Sequence, residues 1–394
     1  MKYSVRCHST TTAIVVTLAI VVVVSASVLG EARKKEEAPG IRAKYSERPN
    51  TRGDGMPVVG ESHDTHTPFT VFGYLPEYRL GGFNYEAAFQ TGLTHLIFFS
   101  LEVDGVNMVP TAKDRLPSKE QAKEARIAAD KVGGKLLLGF GGNARSQGFG
   151  QMVQTPQTRM KFLHALNHLL EEYELDGVDY NWEYPADANE WRLWGKLMEE
   201  SKHYLLGSEN VVTFTMFQDP NHFDIIRQFN LLKDADYVHC MSYDMRGKHS
   251  TYAFAQEGIL MGINNLGGGY ETAKKFTIGL PFYARHIQSG HPKTYAELVD
   301  QLKSKKVDQV GQFYFNSVNT IYRKTKLARD SRIGGVMIWE LGQDVQPLDS
   351  PKALMWGVLA GVTGKDRKAI LAERAVANGG AATTGEDTKG EDEL

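Results

Sequence analysis

The chain has 394 residues, long enough for one large barrel with extensions or for two average domains. Its 42% hydrophobic, 10% aromatic and 23% charged residues belong to a globular chain with a sizeable core, which excludes a disordered or collagen-like protein. The 45 Lys and Arg nearly balance the 47 Asp and Glu, so no nucleic acid is expected as partner, and two cysteines, Cys7 and Cys240, cannot build a disulfide framework.

Lys2 and Arg6 precede an uncharged stretch over residues 9–30 with an apolar centre from Ala13 to Val24. This predicts a hydrophobic leader over residues 1–30 and entry into the secretory pathway. The leader is either cut beside small residues, Ser25 and Ser27 or Gly30 and Ala32, or kept as a membrane anchor, the only route to a membrane. Cys240, in Tyr237-Val-His-Cys-Met241, reads as a packed core residue. Residues 31–68 are rich in charge, Gly, Pro, Thr and His and are expected to form a disordered linker, in which His63, Asp64 and His66 lack the fixed geometry a metal needs.

Eight β-rich apolar runs follow, at 71–75, 94–100, 135–140, 175–183, 211–217, 237–243, 276–281 and 333–341. Segments with apolar residues three and four apart lie between most of them, as at 118–131, 159–173 and 189–204. Strand then helix, repeated, predicts an α/β fold: a single (β/α)8 TIM barrel over residues 69–362, with its chemistry at the C-terminal ends of the strands. An open doubly wound sheet is the alternative, but Gly139-Phe-Gly-Gly142 lacks the spacing of a phosphate-binding turn. From 363 to 394 the chain turns Ala-, Gly-, Thr- and Glu-rich and is expected to be a disordered acidic tail. Its end, Glu391-Asp-Glu-Leu394, resembles the Lys-Asp-Glu-Leu address that retains proteins in the endoplasmic reticulum.

The fourth run, Leu175-Asp-Gly-Val-Asp-Tyr-Asn-Trp-Glu183, concentrates the chemistry. Alternation puts Asp179, Asn181 and Glu183 on one face and Val178, Tyr180 and Trp182 on the other. The apolar trio must pack under helices, so the polar row points into the barrel. Burying carboxylates costs several kcal/mol (roughly) unless they are paired, so a row that ends at the barrel mouth favours function over a polar plug. Glu183, nearest the open end, is the natural proton donor, because burial raises a carboxyl toward the working range.

These residues resemble the fourth-strand motif D-G-x-D-x-D-x-E of glycoside hydrolase family 18, the chitinases and their relatives. Five further segments resemble the family in order: Phe72-Gly-Tyr74, Gly141-Gly142, Met241-Ser-Tyr-Asp244, Gly279-Leu-Pro-Phe-Tyr-Ala-Arg285 and Gly334-Gly-Val-Met-Ile-Trp-Glu-Leu-Gly-Gln-Asp344. The resemblance implies retaining cleavage of β-1,4 linkages in chitin or N-acetylglucosamine oligosaccharides, with the substrate's acetamido oxygen attacking the anomeric carbon. It implies that Glu183 is acid and then base, that Tyr243 holds the acetamido carbonyl, that Asp244 contacts the distorted sugar and that Trp339 floors the central subsite. Asp179, Tyr74, Met241, Tyr283 and Arg285 complete the implied site. No cofactor or metal is implied, and a monomer is expected. The segment between the seventh and eighth runs, with a short helix expected at 295–302, is too short for the full insertion domain of many exo-acting relatives, which implies an endo-type cleft.

Two positions depart from the family. Asn181 stands where the family has its last aspartate, and Gly139 where it has the serine of S-x-G-G. A neutral hydrogen bond contributes about 0.5 to 1.5 kcal/mol against roughly 1.5 to 3 for a charged one, so catalysis is expected to be slowed by about ten- to thirtyfold, not abolished. The Asn181 amide is expected to donate to Asp179, and without a neighbouring carboxylate Glu183 should ionise more easily, moving the optimum toward acid. The alternatives are a chitooligosaccharide-binding lectin without turnover and an endo-β-N-acetylglucosaminidase acting on glycoprotein glycans.

Overall fold

The computed structural model describes residues 69–377. The predicted leader, linker and Glu391-Asp-Glu-Leu394 address lie outside the described residues.

Eight parallel strands form the barrel: β1 (Thr70–Pro76), β2 (His95–Asp104), β3 (Lys135–Gly141), β4 (Gly177–Asn181), β5 (Val211–Phe217), β6 (Tyr237–Met241), β7 (Phe276–Pro281) and β8 (Gly335–Trp339). Each pairs with the next, and β1 also pairs with β8, with Thr70 opposite Gly335 and Gly73 opposite Ile338, which closes the cylinder. Each strand lies on one of the predicted runs, because strands buried on both faces read as continuous apolar sequence. β2 extends to Asp104 and carries an antiparallel flap, Val109–Thr111.

The covering helices are α1 (Tyr85–Gln90), α2 (Lys119–Asp130), α3 (Pro156–Glu172), α4 (Ala188–Tyr204), α5 (Pro220–Gln228), α6 (Tyr252–Asn265), α7 (Val318–Asp330) and α8 (Met355–Thr363). From α1 to α7 each starts at a side chain that accepts a free backbone N–H: Asn84, Ser118, Thr155, Asp187, Asp219, Thr251 and Ser317. α8 is capped from a distance, the buried Asp344 accepting from the N–H groups of Leu354 and Met355. The main core lies between strands and helices, and a second cluster, including Phe72, Ile97, Leu137 and Met337, fills the barrel interior.

Two expectations need correction. The stretch at 295–302 makes only a single 3-10 turn, Val299–Gln301, because the polar run from Lys303 to Lys306 offers no apolar face to extend it. Around it the segment folds into a small antiparallel sheet of Tyr283–His286, Pro292–Thr294, Gln309–Val310 and Phe313–Tyr314. After 363 the chain does not at once become a solvated tail: a further helix, α9 (Arg367–Ala377), buries Ile370 in a cluster with Trp356 and Leu359.

Candidate active site

Gly177 opens β4 because a Cβ there would sit 2.0 Å from the Val211 carbonyl oxygen of β5. From that point alternate residues face opposite ways. Val178, Tyr180 and Trp182 join the outer core, while Asp179, Asn181 and Glu183 face the barrel interior and its mouth.

Asp179 lies deepest and is fully buried. Tyr74 Oη donates to its Oδ2 at 2.9 Å and Thr213 Oγ1 to its Oδ1 at 2.6 Å, while His239 Nε2 stands 3.9 Å from Oδ1. Burial pushes this carboxyl up to about 6, against the pull of its two donors. Asn181 sits one rung higher, where the Thr215 hydroxyl donates to its Oδ1, while its amide lines the same cavity as the Glu183 carboxyl and draws that carboxyl down. The expected bond from Asn181 to Asp179 is therefore not made. Asp179 takes its hydrogen bonds from the Tyr74 and Thr213 hydroxyls, and the amide turns outward instead.

Glu183 is half-buried at the mouth, its backbone N–H donating to Ser146 Oγ at 3.1 Å. Burial raises its carboxyl, the Asn181 bond draws it down and the negative Asp244 raises it. Burial is the largest of these effects, so the carboxyl stands above its ordinary value.

The loop after β6 brings Tyr243 and Asp244 to the same mouth. It is pinned from behind by the fully buried Lys324 of α7, which donates to Ser250 Oγ at 2.8 Å and Asn316 Oδ1 at 2.7 Å; Ser250 Oγ donates in turn to the Ser242 carbonyl at 2.8 Å. Among the described residues Tyr243 Oη has only the Met337 thioether, 3.7 Å away and a weak acceptor. Asp244 accepts at Oδ1 from Tyr283 Oη at 2.6 Å and Arg285 Nε at 2.8 Å, and at Oδ2 from Arg285 Nη2 at 2.6 Å. Burial alone would raise this carboxyl, yet the hydrogen bonds from Arg285 and Tyr283, with His249 Nδ1 standing 3.7 Å from Oδ1, outweigh it and hold the group well below the usual range. Tyr283 and Arg285 come from the small sheet after β7.

Trp339 ends β8 partly exposed, braced by Tyr74 at 5.4 Å and by Phe99, edge-on at 5.0 Å between ring centroids. A cavity of about 330 Å³ opens here, lined by Glu183, Asn181, Tyr243, Asp244, Trp339, Tyr74, Met241 and Arg285. Asp179 lies beneath it and Tyr283 behind Asp244. A half-buried acid, a free phenol, a fixed carboxylate and an indole face around one cavity suit protonation of a neutral, hydroxyl-rich ligand.

Sequence reasoning missed Thr215, Phe99, Met337, Tyr78, Asn143 and Arg145 among the lining residues. The threonine had a signal: Thr213 and Thr215 alternate on β5 as Asp179 and Asn181 do on β4, and Asp179 pairs with Thr213 in the ladder. Tyr78 lies in a single 3-10 turn, Glu77–Arg79, and Asn143 and Arg145 lie on a loop, neither long enough to carry a period. Gly139 has a steric cause, since a Cβ there would stand 2.9 Å from Phe99 Cδ2 and 3.2 Å from the Phe98 carbonyl oxygen.

Residues 70–344 match the family described as glycosyl hydrolases family 18. Endochitinase 1 of Metarhizium robertsii is 24% identical over 267 residues, covering 55% of this chain and 63% of that protein. Chitinase 1 of Aphanocladium album is 25% identical over 177 residues, covering 39% of this chain and 42% of that one, so the match spans less than two thirds of either relative. Among solved structures, a chitinase from Bacteroides thetaiotaomicron superposes with a TM-score of 0.62 at 21% identity, covering 76% of this chain and 98% of that chain.

Proposed function

Because the chain belongs to glycosyl hydrolases family 18, we propose that it cleaves β-1,4 linkages next to N-acetylglucosamine within chitooligosaccharides, using the substrate's acetamido group as nucleophile. The observation that carries this reading is the half-buried Glu183 carboxyl, raised by burial, facing the same cavity as Tyr243, whose hydroxyl has among the described residues only a sulfur for a partner. Protonated Glu183 gives its proton to the glycosidic oxygen while the acetamido oxygen closes on the anomeric carbon, so that the leaving sugar departs and an oxazolinium ion forms. Tyr243 Oη donates to that acetamido group and holds it in line. Glu183, now a carboxylate, takes a proton from water as the water oxygen opens the ring, which restores the acid and retains configuration. Arg285 and Tyr283 keep Asp244 ionised, and its negative charge in turn favours the protonated form of Glu183. Trp339 supplies an apolar floor for a sugar face.

One observation favours a second reading, a lectin that binds and does not turn over: the neutral Asn181 beside the acid gives a cationic intermediate no charge at that position. The test measures both properties in the full chain and in Glu183→Gln with fluorogenic di- and tri-N-acetylglucosamine. Release by the wild type alone supports the hydrolase. Binding without release by both proteins supports the lectin, and absence of both binding and release overturns either reading.

A further inference from the structure

We propose that Thr215 is a positioning residue of this site: its hydroxyl locks the Asn181 amide with the N–H side toward Glu183, so that an uncharged pair on β4 and β5 orients the acid. The catalytic consequence rests on the hydrolase reading. The geometry does not.

An amide has two ends of nearly equal size, one acceptor and one double donor, so packing alone cannot choose how it lies. Asn181 has Asp179 two residues before it and Glu183 two residues after it on the same face of the strand. Asp179 takes its bonds from Tyr74 and Thr213 and makes none with the amide. At the other end the Thr215 hydroxyl holds Oδ1, while the ionised Glu183 carboxyl, which can only accept, takes the N–H side, so the two together fix the amide. Register puts the threonine there. Asp179 lies opposite Thr213 and Tyr180 opposite Phe214, so the next inward pair along both strands is Asn181 and Thr215. Two hydroxyls of β5 therefore serve two polar residues of β4, one rung each. Thr215 is 2% exposed and Asn181 4%, yet both line the cavity, so neither has bulk water as a substitute partner. A reversed amide would set its carbonyl oxygen against the Glu183 carboxylate, acceptor against acceptor.

Other groups also face Glu183. Tyr74 comes from β1, Tyr243 and Asp244 from the loop after β6, and Tyr184 from the adjoining residue. Arg145 and Arg285 line the same cavity. A change at Thr215 leaves all of them in place.

The experiment compares the full wild-type chain with Thr215→Val, close in shape but without the hydroxyl, and with Thr215→Ser, which keeps it. Glu183 must be protonated to act as the acid, so its titration sets the alkaline limb of the rate profile. Losing the Asn181 donor destabilises the carboxylate, and the acid form then persists to higher pH. On fluorogenic tri-N-acetylglucosamine, Thr215→Val is expected to lose about tenfold in kcat and to move the alkaline limb up by roughly 0.5 to 1 pH unit. Thr215→Ser is expected to keep both. A role confined to packing would lower thermal stability and leave the limb where it is. An unmoved limb in folded Thr215→Val, or an equal shift in Thr215→Ser, overturns the proposal. Carbon-13 titration of the Glu183 carboxyl, assigned with Glu183→Gln, reads the same bond without turnover. If the wild type releases no product, the hydrolase reading fails, and the carboxyl titration still decides the lock: an upward shift confined to Thr215→Val upholds it, and no shift overturns it.

Discussion

Tyr74 and Asp179 meet in the sealed interior of the barrel, the phenol donating to the carboxylate at 2.9 Å with 1% and 0% of the two residues exposed. A hydrogen bond to a charged group contributes about 1.5 to 3 kcal/mol and one to a neutral group about 0.5 to 1.5. Tyr74→Phe should therefore destabilise the fold by about 2 kcal/mol at pH 7.5, where Asp179 is ionised, and by clearly less at pH 5, where it is protonated. Urea unfolding at the two pH values measures the difference. An equal cost at both would refute the assignment.

Buried acids and buried histidines pull stability in opposite directions with pH. Burial raises Asp179 to about 6 and Asp344 to about 7, so the folded chain holds these protons more tightly than the unfolded one; their contribution is full at low pH and is lost as pH rises through 6 and 7. Burial lowers His95 to about 4 and His239 to about 3, so they stay neutral when folded; their contribution is present above the unfolded value and is lost as pH falls toward 4. Between pH 7 and 5 the two sets nearly cancel. Asp179→Asn removes one acid and should make the variant lose about 1 kcal/mol more than the wild type over that interval, read from urea midpoints. A variant with the wild-type slope would contradict it.

Restoring the family's serine at Gly139 should not restore function. Its Cβ would lie 2.9 Å from Phe99 Cδ2, and Phe99 also braces Trp339. Gly139→Ser is expected to cost roughly 1 to 3 kcal/mol in thermal unfolding, as overpacking does, with no gain in turnover. A neutral or stabilised variant would show that the ring moves aside freely.

Asn181→Asp should act in the other direction. Thr215 can still donate to the new carboxylate, and a negative charge returns beside the cationic intermediate. Turnover on a chitooligosaccharide is expected to rise about ten- to thirtyfold. The alkaline limb should also move up, because Glu183 exchanges a donor for a like charge. Unchanged or lower turnover would argue that the amide is the working form of this site.

Much of this was legible in the chain. The runs at 211–217 and 276–281 coincide with β5 and β7, and the period of two set Asp179, Asn181 and Glu183 apart from Val178, Tyr180 and Trp182 before any coordinates. The small sheet from Tyr283 to Tyr314 was not legible, because strands of two to four residues show too little alternation to stand out. α9 was hidden by its alanines, which carry little apolar signal although Ile370 is buried.

Sequence alone determined the barrel, the inward row on β4 and the chemical types gathered at its mouth, since these follow from local periodicity and the need to bury apolar faces. Tertiary structure alone decided which partner each polar atom takes. Asp179 received hydroxyls from two other strands, Asn181 turned to Glu183, Asp244 was clamped by Arg285, and Phe99 claimed the space above Gly139. Hydrogen bonds form between specific atoms about 3 Å apart, and that proximity is set by the register of neighbouring strands and the path of loops, neither of which a single strand's pattern encodes.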